Sequence, residues 1–143
     1  MSFRRILIAL DDSAIAAHAA EVGTKLAAAL KAQAALVYVV DPALALQTDS
    51  GIPAAEWLAT LKREGQVFLA TAAQRTGEPP AWQFLREGKP ADQILAAASE
   101  WAADVIVIGT HERSGVSRLV LGSTAESVVR HASCPVLVIK PQA

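Results

Sequence analysis

Four nearly continuous aliphatic runs, separated by helix-like stretches, constrain the fold of this chain more than any other feature of its sequence. The runs are RILIAL, AALVYVV, DVIVIG and PVLVIK, at residues 5–10, 34–40, 104–109 and 135–140. Unbroken runs of β-branched and aliphatic residues are typical of parallel strands that are buried on both faces. A fifth run, AWQFLRE at residues 81–87, alternates more between apolar and polar residues, so we predict that it lies nearer a sheet edge.

The stretches between these runs carry apolar residues at helical spacing. We predict helices at residues 13–31, 56–75, 91–102 and 123–132, and a loop at residues 42–53, which serves either as a lid or as a variable connection. Strictly alternating strands and helices imply right-handed crossovers. The predicted fold is therefore α/β, a three-layer sandwich with a five-stranded parallel sheet and helices on both faces. Ligands of such sheets bind beyond the carboxyl ends of the strands, where the strand order reverses.

The length of 143 residues predicts one domain, residues 1–143, because a chain of this size buries about two thirds of its unfolded surface. The formal net charge of −1 gives no bulk attraction to nucleic acid or to an anionic membrane. Cys134 is the single cysteine, which excludes an intrachain disulfide. The first apolar run is short and ends in two aspartates, so we predict neither a signal peptide nor a membrane span and expect a cytoplasmic protein.

Familiar catalytic and phosphate-binding signatures are missing from the sequence. It has no GxxxxGK[ST], no GxGxxG after the first strand, no GxSxG and no HExxH. The three histidines (His18, His111 and His131) and Cys134 show no metal-ligand spacing. No nucleophile is paired with a base, so we name no catalytic residue and no metal ligand.

The end of the first predicted strand, Ala9-Leu10-Asp11-Asp12-Ser13, places carboxylates at the carboxyl edge of the sheet. A carboxylate there can accept hydrogen bonds from ligand hydroxyl or amino groups. The alternative is helix capping, with Asp12 or Ser13 as the N-cap of the first helix. We favour capping for Ser13 and a ligand contact for Asp11.

Residues 109–126, GTHERSGVSRLVLGSTAE, follow the fourth predicted strand and lead into the last helix. Gly109 has no side chain, so a ligand could lie against the backbone there. The turn at residues 122–123 precedes a helix whose first N–H groups and positive dipole end can bind an anion. The alternative is that STAE, at residues 123–126, forms an S-x-x-E capping box, which stabilises the helix without a ligand. Both can hold, because N–H groups that the cap leaves free can still meet a phosphate.

These segments resemble the universal stress protein family along essentially the whole chain. The matching blocks are ILIALDDS, REGKPADQILAAA and GTHERSGVSRLVLGSTAESVVRHASCPVLVIK. ATP-binding members of that family carry G-x2-G-x9-G-[ST]. This chain has Gly109, Glu112 and Gly122-Ser123 at that spacing, so three of the four motif positions match by residue. The resemblance implies a Rossmann-like parallel sheet of order 3-2-1-4-5 and a homodimer.

The resemblance also implies which residues bind nucleotide. Residues at the ends of the first two strands would hold the adenine and ribose, those after the fourth strand the ribose and first phosphate, and residue 112 with the turn before the last helix the phosphates. The implied set is Ala9, Asp11, Val39, Gly109, Thr110, His111, Glu112, Gly122, Ser123 and Thr124.

Glu112 stands where the family motif has a glycine, and its carboxylate would lie beside the expected phosphates. At an effective dielectric constant of about 20 and a separation of roughly 5 Å, like charges repel by about 3 kcal/mol, roughly a hundredfold in affinity. The side chain could instead point to solvent, pair with Arg113 or Arg118, or share Mg²⁺ with the phosphates. We predict weakened triphosphate binding, so AMP or a cyclic nucleotide is an alternative to ATP.

Three functions stay open on the sequence. The first is a stress-response regulatory protein that binds an adenine nucleotide, ATP or a less phosphorylated form with or without Mg²⁺, at the carboxyl ends of strands 1 and 4. The second is a dimeric interaction module of the same fold that does not bind nucleotide. The third is an enzyme that uses the same pocket, although nothing in the sequence assembles His111, Asp11 and Asp12. We expect at most slow ATP hydrolysis, with His111 as the candidate base.

The last predicted strand, PVLVIK, bears on the partners of the chain. At a sheet edge it would be an open template for pairing with a second copy, and two such strands can pair about a twofold axis. We therefore expect a homodimer through the C-terminal strand. Neither nucleic acid nor a membrane is expected as a partner.

Overall fold

The computed structural model describes residues 2–46, 51–77, 80–110 and 121–141 of the chain. Strands and helices alternate along it, apart from one short additional helix after the second strand, and the predicted strands and long helices agree with the observed bounds to within two residues. In chain order the elements are β1 (Arg5–Leu10), α1 (Ile15–Leu30), β2 (Gln33–Val40), α2 (Ala43–Leu46), α3 (Ala54–Gln74), β3 (Trp82–Glu87), α4 (Pro90–Trp101), β4 (Val105–Gly109), α5 (Ser123–His131) and β5 (Val136–Ile139).

The five strands form one parallel sheet of order β3-β2-β1-β4-β5. This order confirms the one that the family resemblance implied, and β3 lies at an edge as its alternating pattern predicted. In the centre, Ala9 of β1 is level with Val37 of β2 and Ile108 of β4. The order reverses between β1 and β4, because the chain first adds β2 and β3 on one side of β1 and then crosses to the other.

Helices cover both faces of the sheet, so the predicted three-layer α/β sandwich is confirmed. Helices α1 and α3 pack on the face that contains the fully buried Ile6 and Ile8, and α4 and α5 pack on the face that contains Leu7 and Ala9. This burial on both faces explains why the central strands read as unbroken aliphatic runs. Within the described part of the chain, the helices are too short or too polar to span a bilayer.

The prediction of a loop throughout residues 42–53 was wrong at residues 43–46, where α2 forms a single helical turn. A carboxylate oxygen of Asp41 accepts the N–H of Ala43 at 2.9 Å, and the N–H of Ala45 donates to the carbonyl of Pro42 at 3.0 Å. Ala45 is buried. A cap and one buried methyl group stabilise this turn, which is too short to produce a visible period in the sequence. Residues 47–50 lie outside the described part of the chain.

β5 is an edge strand and pairs with β4. The C-terminal strand therefore lies at a sheet edge, the position considered for it from the sequence. The carbonyls of Pro135 and Ile139 accept hydrogen bonds from the N–H groups of Ile106 and Thr110, each at 3.0 Å. Main-chain groups of alternate residues in a strand point to opposite sides. The N–H and C=O groups of the residues between them, 136 and 138, therefore point to the open edge.

Candidate functional site

A cavity of about 180 Å³ lies beyond the carboxyl ends of β1 and β4, at the point where the strand order reverses. This is where open parallel sheets usually bind ligands. Strand residues form its floor, and the first turns of α1, α4 and α5 form its walls. We name this space the strand-end cavity; it is lined by Ala9, Leu10, Asp11, Ile15, Ala16, Val39, Pro90, Ile94, Ile108, Gly109, Thr124 and Ala125.

The structure brings five of the predicted nucleotide-binding residues to this cavity. They come from β1, β2, β4 and α5, which are far apart in the sequence. They are Ala9, Asp11, Val39, Gly109 and Thr124.

Four of the other five predicted residues fall into two groups. Gly122 and Ser123 begin α5 next to Thr124 but do not line the cavity. His111 and Glu112 lie outside the described residues, as do the arginines that were predicted to neutralise Glu112.

Thr110 does not line the cavity, although the resemblance placed it near the ribose. It is fully buried, and its N–H and hydroxyl both donate to the carbonyl of Ile139, at 3.0 and 3.4 Å. These bonds tie the end of β4 to β5. The structural role of Thr110 is therefore to hold the edge strand in place.

The carboxylate of Asp11 lies at the cavity and is engaged by the turn that follows β1. The main-chain N–H of Ser13 donates to Oδ1 of Asp11 at 2.9 Å, and the hydroxyl of Ser13 donates to the same oxygen. The predicted N-cap role of Asp12 or Ser13 was wrong, because the N-cap of α1 is Ala14 and carries no side-chain cap bond. The helix starts two residues later than predicted, so the hydroxyl of Ser13 reaches the charged carboxylate, which is the stronger acceptor.

Gly109 has a packing reason for being glycine. A Cβ placed there would lie 2.9 Å from Cγ1 and 3.0 Å from Cγ2 of Ile15. Such distances are too short for carbon atoms in van der Waals contact. The sequence predicted that a ligand could lie against the backbone at Gly109. In the structure, the side chain of Ile15, the first residue of α1, occupies part of that space.

The first turn of α5 has no side-chain cap among the described residues. Gly122 is the N-cap and Ser123 the first helical residue, so the predicted S-x-x-E capping box was wrong by one position. Glu126 instead pairs with Arg130, with 2.8 Å between Oε1 and Nη2. Among the described residues no side chain accepts from the first N–H groups of α5, which lie beside the wall that Thr124 contributes to the cavity.

Helix α4 also contributes to the cavity, through Pro90 and Ile94, which were not predicted from the sequence. Pro90 occupies the first turn of its helix, a position that proline favours. Gly88, at φ +145°, makes the tight turn from β3. The signal was the Gly-Lys-Pro sequence after a strand, because every strand-to-helix turn of a parallel sheet lies at the same edge. Three helix N-termini, each the positive end of a helix dipole, therefore surround this space.

Negative charge lies at the same sheet edge, near Tyr38. Burial raises the pKa of the Tyr38 hydroxyl above its usual value of 10.0, and the carboxylates of Asp12, Asp11 and Glu64 raise it further. The Tyr38 ring packs against Phe68 of α3, with ring centroids 5.0 Å apart, so it lies on the α1–α3 side of the sheet. The wall most favourable to an anion is therefore the one formed by α4 and α5.

Metal binding finds no support in the described residues. Within ranges 2–46, 51–77, 80–110 and 121–141, no group of three or more histidine, cysteine, aspartate or glutamate side chains could hold a metal ion. What the strand-end cavity offers is an apolar floor, one carboxylate and main-chain N–H groups at helix starts. Such a set can bind a flat apolar group that carries an anionic extension.

Comparisons with known proteins agree with the observed fold. The model of the universal stress protein family matches residues 2–140. A universal stress protein of Methanocaldococcus jannaschii is 36% identical over 145 residues, which cover 96% of this chain and 82% of that protein. A crystal structure of a universal stress family protein from Burkholderia pseudomallei has a TM-score of 0.73 at 33% identity and covers 96% of each chain.

A third similar protein was solved with a ligand. It is a universal stress protein in complex with cAMP, with a TM-score of 0.66 at 21% identity, and the match covers 98% of each chain. This likeness establishes a common fold. Together with the family match over nearly the whole length, it leads to one conclusion: the chain belongs to the universal stress protein family.

Proposed function

We propose that this protein is a stress-response regulator that binds an adenine nucleotide in the strand-end cavity. The observation that carries the proposal is the uncapped first turn of α5 beside an apolar cavity at the reversal of strand order. In this proposal the chain acts as one universal stress protein domain, residues 1–143. Nucleotide binding acts through the connections at residues 42–53 and 112–116 and thereby alters the affinity for a partner.

The residues present fit the two ends of a nucleotide. The apolar side chains of Ala9, Val39 and Ile108 suit the flat adenine ring, and the carboxylate of Asp11 can accept a hydrogen bond from a ribose hydroxyl or the adenine amino group. The cavity of about 180 Å³ is smaller than the roughly 300–1,000 Å³ of pockets that enclose a whole ligand. The phosphates would extend out of it to the N–H groups at residues 122–124.

A ligand with fewer phosphates than ATP is the favoured form. Glu112 replaces a glycine of the family motif, and its carboxylate opposes a long phosphate chain. The related protein solved with cAMP supports this choice, because its fold accommodates a cyclic nucleotide. His111 and Glu112 belong to the proposed site on the sequence motif alone. Any Mg²⁺ would bind mainly through phosphate oxygens and water, which is its usual mode.

Calorimetric titration with ATP, ADP, AMP and cAMP, each with and without Mg²⁺, tests the proposal. A Thr124→Glu variant places a carboxylate at the start of α5, where it favours the helix but repels a phosphate. We expect it to weaken binding by roughly a hundredfold. Thr60→Glu, the same change within α3, is the matched control and should leave affinity unchanged. Glu112→Gly should strengthen ATP binding relative to AMP.

Two results would contradict the proposal. One is the absence of both binding heat and a thermal shift with every nucleotide, in protein that also carries none after purification. The other is equal affinity of Thr124→Glu and Thr60→Glu. Equal affinity of wild type and Glu112→Gly for ATP would contradict only the role of Glu112.

We also propose that the protein forms a homodimer through β5, and a dimeric interaction module without nucleotide is the second candidate function. The observations in favour are the open main-chain edge at residues 136 and 138 and the exposure of Leu137. Val138→Pro removes one outward N–H, whereas Val138→Ala loses similar packing and keeps it. Light scattering should find a monomer for Val138→Pro and a dimer for Val138→Ala. A wild-type monomer at micromolar concentration would rule out this assembly.

A further inference from the structure

A second and larger cavity lies on the opposite side of the sheet from α4 and α5, between α1 and α3. Its volume is about 620 Å³, more than three times that of the strand-end cavity. This volume falls within the roughly 300–1,000 Å³ that is typical of small-molecule sites. We name it the α1–α3 groove. Leu10 and Ala16 line both cavities, and the remaining lining residues differ.

The groove exists because the facing residues of the two helices are small. Ala17 and Ala20 of α1 face Ala72 of α3 across it, and Phe68 contributes an aromatic wall. Alanine methyl groups cannot fill the space between two helices that lie on the same sheet. Native interiors are close-packed, and apolar surface left in contact with water costs about 25 cal/mol per Å². An apolar occupant of this space would therefore be stabilising.

The threonine hydroxyl groups along the groove leave few hydrogen-bond donors for a ligand on its uncharged walls. The hydroxyls of Thr24 and Thr71 each donate to a carbonyl of their own helix at 2.8 Å, and that of Thr76 donates to a carbonyl at 2.6 Å. Their protons are therefore already used. A sugar or a nucleotide, which needs several donors, is poorly matched to such a wall.

The charged groups of the groove favour one anionic group on the ligand. Lys25 pairs with Glu21, with 2.8 Å between Nζ and Oε1. Arg75, at the end of α3, also lines the groove; its main-chain N–H donates to the carbonyl of Ala72 at 3.1 Å, and its guanidinium makes no hydrogen bond or ion pair within the described residues. The three side chains together carry one net positive charge. A guanidinium group that meets no acceptor in the described part of the chain is well suited to a carboxylate, which it can bind through two N–H groups.

We propose that the α1–α3 groove binds an apolar monocarboxylate, with the aliphatic chain between the alanines and the carboxylate at Arg75. From Ala16 to Lys25 the groove follows nine residues of helix, about 14 Å at a rise of about 1.5 Å per residue. An extended aliphatic chain fits this length. The groove shares only Leu10 and Ala16 with the strand-end cavity, so the proposal does not rest on the proposed nucleotide site.

Decanoate, below its micelle concentration, is the probe, and decanol is the uncharged comparison. The full-length protein is labelled with ¹³C at alanine methyl groups and titrated by NMR, with calorimetry for affinity. We expect methyl shifts at Ala17, Ala20 and Ala72. Decanoate that binds while shifting Ala9 and Ala125 instead would overturn the proposal, because those residues line the strand-end cavity.

Two matched pairs of variants separate the carboxylate contact from the apolar contact. Arg75→Gln should weaken decanoate binding by about tenfold and leave decanol unchanged. Arg63→Gln, the same change on the exposed side of α3, should affect neither ligand. Ala17→Leu fills part of the groove and should weaken both ligands, whereas Ala55→Leu, at an exposed position, should weaken neither.

Three outcomes of these experiments would contradict the proposal or one part of it. No binding of decanoate to the wild type contradicts the site as a whole. Equal effects of Arg75→Gln and Arg63→Gln contradict the choice of a carboxylate. Equal effects of Ala17→Leu and Ala55→Leu contradict the placement of the chain. The thermal unfolding midpoint of each variant, measured alongside, identifies any variant that is not folded.

Discussion

Oδ1 of Asp11 accepts both the main-chain N–H and the hydroxyl of Ser13, the first at a distance of 2.9 Å. The carboxylate at the edge of the strand-end cavity is thus held by the turn that leads into α1. Its position follows from the chain itself, so the carboxylate is oriented before any ligand arrives. This arrangement joins the stability of the β1–α1 turn to the geometry of the proposed site.

Replacing Asp11 should therefore destabilise the fold even without ligand. Asp11→Ala removes an acceptor that is charged and doubly used, and we expect a loss of about 1.5–3 kcal/mol in the free energy of unfolding. Asp11→Asn keeps an acceptor oxygen and should cost less. Urea unfolding followed by circular dichroism measures both. Asp11→Ala with the wild-type midpoint would mean that the turn does not depend on this carboxylate.

Gly109 and Ile15 should behave as a coupled pair. Gly109→Ala forces a Cβ against Ile15, and overpacking of this kind usually costs about 1–3 kcal/mol. In the Ile15→Ala background the same change should cost much less, because both contacting carbon atoms are gone. A double-mutant cycle of unfolding free energies measures this coupling. Additive effects would indicate that Gly109 is needed for another reason, such as a ligand against the backbone.

The ionisation of Tyr38 should occur above its usual pKa of 10.0 in the folded protein, because burial and three nearby carboxylates disfavour the anion. It is the single tyrosine, so the ultraviolet absorbance of tyrosinate reports it alone. Since the folded form binds the proton more tightly, stability should be complete below pH 10.0 and should fall as the pH rises through the raised pKa. Asp12→Asn should remove part of the upward shift in the Tyr38 pKa. The part of the shift that burial causes should remain. A folded-state pKa at or below the usual value would contradict the assigned burial.

Cys134 should react slowly with alkylating reagents. Its half-buried environment raises the pKa of the thiol, and the thiolate is the reactive form. At one mildly alkaline pH, iodoacetamide should modify the folded protein several times more slowly than the same protein in urea. A peptide of residues 131–138 provides the reference rate. Identical rates in the folded protein and in the peptide would show that the thiol is open to solvent.

The regular elements of this fold could be predicted because their signals are repeated along many residues. Buried parallel strands require unbroken aliphatic runs, and α1 and α3 carry apolar residues over several turns. The ends of the helices were harder to predict, since the identity of the cap residue depends on where the first turn begins. A shift of the N-cap by one residue, from Ser13 to Ala14 and from Ser123 to Gly122, left each hydroxyl outside the N-cap position.

The candidate site could be predicted where it depends on topology. All strand-to-helix turns of a parallel sheet meet at one edge, so Asp11 and Gly109 come together as expected. Ala9, Val39 and Thr124, which the family resemblance implied, line the same cavity. The α1–α3 groove could not be predicted in the same way. Alanine at positions 17, 20 and 72 is equally consistent with two helices in close contact, and only their actual separation distinguishes a packed interface from a cavity.

Leu10 and Ala16 line both cavities and so form part of the partition between them. In a closely packed interior, such a partition cannot move toward one side without taking volume from the other. A molecule that displaces it on one side must therefore change how well a second molecule fits on the far side, and thermodynamic linkage makes that influence equal in both directions. Two bound molecules that do not touch would therefore change each other's affinity through Leu10 and Ala16.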